Sequence, residues 1–160
     1  MLIDAWATAL QETGLSQALR ASTWLYPLIN TGHLLGIAVL FGAIAPIDLR
    51  LLGCWKRVPL EPLARVLLPM AAGGLALAGV TGALLFATQP RDYITQPLFA
   101  LKFALILAAV INAVLLRRST AWQRLRAEGG ETRRVWGIAG IVSLLLWIGA
   151  ITVGRLIGYR

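Results

Sequence analysis

The sequence predicts an all-α membrane protein: an up-down bundle of four transmembrane helices, with an amphipathic N-terminal helix lying in the membrane interface. Three observations carry this. Apolar types make up 58% of the 160 residues and charged types only 14%, whereas soluble domains run nearer half and a quarter. Mean hydropathy is +0.74, and a soluble domain this small has too little interior to hide so much apolar surface. Four apolar stretches reach the length at which a helix crosses a bilayer. The length allows one domain, residues 1–160, with little chain left over for a soluble module.

Residues 2–20 place Leu2, Ile3, Trp6 and Leu10 at near-helical spacing, opposite Asp4, Gln11 and Glu12. That is the pattern of a helix lying flat in the interface. Gly14 interrupts it, and Ser16 is placed to cap a further turn. The N-terminal stretch MLIDAWATALQE carries acids and no basic run, so it is expected to be retained rather than cleaved as a signal peptide.

The first span covers about residues 21–45, with Trp24 and Tyr26 as interfacial anchors. Pro27 falls in its first turns. Pro46 is expected to open a polar segment in which Asp48 and Arg50 pair with each other or meet lipid headgroups. The second span, about 63–88, is rich in small residues. QPRDYITQP (89–97) reads as a short turn, and the third span follows at about 98–116. A strongly basic loop over 117–134 leads to the fourth span, about 135–158.

The net charge of +8 would point to nucleic acid in a soluble protein. Here the charges flank apolar spans, so no nucleic-acid partner is expected and the lipid bilayer is the chain's environment. Arg50, Lys56, Arg57, Arg65, Arg117, Arg118, Arg124, Arg126, Arg133 and Arg134 must share one side in a four-span topology. The other side holds Arg20, Arg91, Arg155 and Arg160. Cytoplasmic loops carry the excess of Lys and Arg. Both termini and residues 89–97 are therefore expected in the periplasm, with the chain in a bacterial inner (plasma) membrane.

Small residues recur four apart: Gly32 and Gly36, then Gly74, Ala78 and Gly82, then Ala150, Gly154 and Gly158. Such faces let backbones approach in lipid, where no hydrophobic effect drives helices together. They serve packing within one bundle or a homo-oligomer.

Ionisable groups inside a bilayer are costly and are functional candidates by default. His33 sits near mid-depth in the first span, with Asn30 one turn earlier on the same face. Lys102 lies about five residues into the third span, and Arg155 about five from the end of the fourth. Thr81 falls at a similar depth in the second. Each helix thus offers a polar group to one outward-opening site. Each group also has a structural reading: His33 and Asn112 as hydrogen-bonding links between helices, Lys102 and Arg155 as side chains reaching for headgroups.

The chain has one histidine, one cysteine and two methionines. Met1 is terminal, while Cys54 and Met70 fall toward the inner side, so His33 has no soft-donor companions for a closed four-ligand metal site. Transient copper contact at His33 fits the ligand type. So does haem b, to which one histidine supplies one axial ligand while Lys102 and Arg155 pair with propionates. No paired acids, nucleophile–base set or phosphate-binding glycine loop points to hydrolytic chemistry.

The first span reads TGHLLGIAVLFGAIAPIDLRLLG (31–53) and the third YITQPLFALKFALILAAVINAVLLRR (93–118). A histidine ahead of small residues, a lysine opening the third span, Asn112 and the Arg117-Arg118 end together resemble the copper-resistance protein D (CopD)-like superfamily of bacterial membrane proteins. The closest resemblance is to an uncharacterised four-span branch. A more distant one is to HemJ-type protoporphyrinogen oxidases. The resemblance covers about residues 22–118 and implies a site shared by His33 and Lys102. The chain has fewer histidines and methionines than copper-handling relatives and fewer histidines than the oxidases, so neither activity is carried over. The expectation is a non-enzymatic ligand- or cofactor-binding protein in copper or haem handling. The alternatives are a b-type haem redox protein or oxidase, and a structural subunit without ligand.

Overall fold

The computed structural model describes residues 2–119, 122 and 134–159; the centre of the basic loop lies outside them. The described residues form helices α1 (Leu2–Gln11), α2 (Gly14–Ala21), α3 (Leu25–Leu51), α4 (Leu60–Thr88), α5 (Pro90–Ile94), α6 (Pro97–Arg118) and α7 (Arg134–Ile157), with no strand among them. Four of these, α3, α4, α6 and α7, are long and apolar enough to cross a membrane. The chain is an all-α, four-span membrane protein. Leu28, Leu34, Leu35, Val66, Val80, Leu107, Leu115, Ile138 and Leu145 all point outward, an apolar girdle that only lipid covers at low cost.

The ends of the elements differ from the sequence expectation in instructive ways. The N-terminal segment is two helices, not one. Thr13 caps α2, its Oγ1 accepting from Ser16 N at 3.3 Å while its hydroxyl donates to Leu10 O at 2.7 Å. Ser16 is therefore not the cap. It is fully buried, and its hydroxyl donates to Ala87 O on α4 at 2.6 Å. This bond and the burial of Leu19 fix α2 to one end of the bundle. Together with α5, the two short helices make that the capped end.

Pro46 does not end the first span: α3 runs through it to Leu51, 27 residues in all, about 40 Å at 1.5 Å per residue. A proline removes one intrahelical bond, and the rest of a long packed helix tolerates that loss. The stop comes at Gly53, with φ of 97°. Its N–H bonds to Arg50 O, and Cys54 N–H reaches back to Leu49 O, the paired bonding of a glycine-terminated helix. Arg50 then closes the turn, donating from Nε to Val58 O at 2.8 Å and from Nη2 to Lys56 O at 3.1 Å. Arg50 and Asp48 do not pair, because continuing the helix turns Asp48 into the bundle.

Two helix pairs make up the bundle. In the first, α3 lies against α4 so closely that a Cβ on Gly36 would stand 2.6 Å from Ala78 N, and one on Gly74 2.5 Å from Leu40 N. In the second, α6 lies on α7. Leu105 covers Gly149, and Asn112 Nδ2 donates to Ala139 O at 3.2 Å, as expected of an interhelical link. The pairs meet through α3 and α7, where a Cβ on Gly140 would lie 2.9 Å from Asp48 O. No Cα atoms of α4 and α6 come within 8 Å of each other. Side chains bridge that seam: Leu40, Ala43, Ala71, Ala109 and Trp147 at mid-height, and Ile47, Leu51, Leu60, Ala64, Trp122 and Trp136 toward the end opposite the cap.

Candidate functional site

His33 occupies the third turn of α3 from the capped end, half-buried on the side that meets α4. Its Nδ1 lies 2.9 Å from Ala78 O and 3.2 Å from Thr81 Oγ1. Both partners act as acceptors. A carbonyl has no proton, and the Thr81 hydroxyl proton goes to Leu77 O at 2.6 Å. Nδ1 therefore carries the hydrogen, and in the neutral ring Nε2 keeps its lone pair. A glycine makes room for the ring: a Cβ on Gly82 would stand 3.0 Å from His33 Cε1. Thr81 thus joins His33 as the depth argument implies, but as an orienting group.

Lys102 stands one turn into α6 and is half-buried. Its stem lies over Gly154 of α7, whose Cβ position would be 3.3 Å from Cε and 3.4 Å from Nζ. The ammonium makes no hydrogen bond or ion pair among the described residues. The two side chains belong to opposite helix pairs. The contact of α3 with α7 at Gly140 is toward the far end. Above it, Phe86 of α4 stacks on Phe99 of α6 at 5.3 Å, and Phe103 meets Phe99 edge-on at 4.9 Å. Trp6 and Tyr93 extend this aromatic layer to 6.2 and 6.0 Å from Phe86. Burial, then Tyr26 and Asp92, push the Tyr93 phenol up, so it stays a neutral donor at the rim.

Asn30 and Arg155 are placed elsewhere. Asn30 is exposed and its side chain has no hydrogen bond among the described residues. Arg155 is exposed too, donating from Nη2 to Tyr159 Oη at 3.0 Å with its guanidinium 4.9 Å from that ring. One step along the helix separates it from Gly154, and that step of about 100° turns it away from Lys102. What α7 gives this region is the bare backbone of Gly154. Sequence reading placed Gly154 in a packing stripe; that a lysine stem is what packs there was not visible.

Among the described residues, no three of His, Cys, Asp and Glu gather to hold a metal. Cys54 is exposed beyond the far end of α3. The arrangement offers one imidazole lone pair and one cation, a set that receives a ligand bringing its own acidic group and, if a metal is involved, most of its own coordination. No family model, curated protein or solved structure matches the chain.

Proposed function

We propose that this is a multi-pass protein of a bacterial inner membrane, with both termini and the His33–Lys102 region facing the periplasm, that binds a small ligand carrying an acidic group. The orientation rests on the loop charge: by sequence, ten basic residues fall in or beside the loops between spans one and two and between spans three and four, and four on the other side. One observation carries the ligand. The Lys102 ammonium has no counter-charge among the described residues yet sits at a depth where a cation needs one. An anion there gains a charge-assisted hydrogen bond that the protein's own side chains do not supply. A CopD-like assignment and a role in copper or haem handling belong to this reading.

Haem b is a second reading, favoured by the tautomer of His33. Ala78 O and Thr81 accept from Nδ1–H and orient the ring, which leaves the Nε2 lone pair as the group that would hold an iron. His33 would hold the iron and Lys102 a propionate. Haem would supply redox or electron-transfer chemistry.

Native mass spectrometry of the delipidated wild type, K102Q and H33A tests the proposal. A non-lipid adduct in the wild type that is lost in K102Q supports it, and a Soret band lost in H33A identifies haem. A bare wild-type mass and identical spectra for all three would leave His33 and Lys102 as packing residues and overturn it.

A further inference from the structure

Asp48 lies about 22 Å from His33 along α3, and the ligand reading makes no use of it. It is 4% exposed, in a helix of spanning length. Its side-chain partner is the Ser143 hydroxyl of α7, and its Oδ2 is buried with no hydrogen-bond partner among the described residues. The burial is built into the backbone. Gly140 brings α7 so near that its Cβ position would be 2.9 Å from Asp48 O, and Gly137 continues the approach against Leu51 O at 3.8 Å. A side chain at position 140 would strike the Asp48 backbone, so only glycine lets the two helices close here.

A buried carboxylate needs a cation or a full set of donors. Residues 135–154 of α7 contain no ionisable side chain. On α4 the charged residues of this end are Glu61 and Arg65, which bond to each other at 3.3 Å, and none follows before the helix ends at Thr88. On α3 itself, Arg50 is engaged by Val58 O and Lys56 O. The rest of the layer is Ile47, Leu51, Leu60, Ala64, Trp122 and Trp136. One hydroxyl does not satisfy an ionised carboxyl in such a place.

We infer that Asp48 is a proton-binding site at the joint between α3 and α7, a neutral carboxylic acid whenever the two helices are docked. A proton on Oδ2 removes the buried charge and turns the unpartnered acceptor into a donor. Ser143 donates to the other oxygen. Asp48 is one turn from the end of α3 at Leu51, so the proton exchanges with the side that carries the basic loops. It leaves when Gly140 of α7 moves off Asp48 and water enters. Protonation and the seating of α7 on α3 are thereby coupled.

Infrared spectroscopy of the protein in bilayers at neutral pH tests this. The chain has three aspartates, Asp4, Asp48 and Asp92. The expected result is a carbonyl band of a protonated carboxyl that shifts when aspartate carries carbon-13 in its side-chain carboxyl. The band is lost in Asp48→Asn, which keeps the size of the group. The isotope shift needs no substituted protein, so the test stands if the variant misfolds. No such band in the wild type, or one that ignores the aspartate label, overturns the inference. So does a band abolished by sodium or potassium chloride at constant pH, which would make the site a cation site.

Discussion

His33 Nδ1 lies 2.9 Å from the carbonyl oxygen of Ala78, so the chain's single histidine ties α3 to α4 through a backbone atom that no substitution can remove. Thr81 only supplements that bond. His33→Ala should lower stability in detergent by about 1–3 kcal/mol, the range for leaving a buried group without its hydrogen bond. Thr81→Val should cost less, because Ala78 O still accepts. Thermal unfolding of the two variants gives the order; an equal or reversed order would mean Thr81 is the main tie.

The glycines of α4 divide by what surrounds them. A Cβ on Gly74 would strike Leu40 backbone at 2.5 Å, while Gly73 and Gly79 have nothing within 4 Å. Alanine is favoured over glycine in a helix by about 1 kcal/mol, and overpacking costs about 1–3 kcal/mol. At Gly74 the clash wins, since backbone cannot swing aside as a flexible side chain can. Gly74→Ala should lower the unfolding temperature, and Gly36→Ala likewise. Gly73→Ala and Gly79→Ala should leave it unchanged or raise it.

Gly154 separates packing from ligand binding. The atoms nearest a methyl there are the flexible end of Lys102, at 3.3–3.6 Å. Gly154→Ala should change stability by no more than about 0.5 kcal/mol while displacing the ammonium. Any adduct seen by native mass spectrometry should fall in occupancy. Arg155→Gln should leave occupancy intact, because that guanidinium is held by Tyr159. Loss in Arg155→Gln with none in Gly154→Ala would move the site to the bundle surface.

Cys54 reports the orientation. It is exposed in the turn after α3 and is the only cysteine in the chain. With the basic loops in the cytoplasm, a membrane-impermeant maleimide should leave it unlabelled in spheroplasts and label it in inverted vesicles. The opposite pattern would place the capped end inside.

The class of the protein and the number of its spans were determined by the sequence alone. They depend on totals: apolar length, hydropathy and the placement of charge, which survive any local error. Depth was legible too, since counting residues along helices that alternate direction brings His33, Thr81 and Lys102 to one level. Rotation about each helix axis was not. It set Arg155 on Tyr159 and Gly154 under Lys102, one residue apart and facing different ways, and it left Asn30 exposed although it lies one turn from His33. The end of α3 was misplaced for a related reason. Proline weakens a helix locally, but packing along 27 residues outweighs one missing bond, and the glycine seven residues later supplies the stop. That extra turn and a half is what the tertiary structure decided about Asp48. A residue that reads as part of a polar loop is carried into the bundle, against a glycine of a helix that starts more than eighty residues further along the chain.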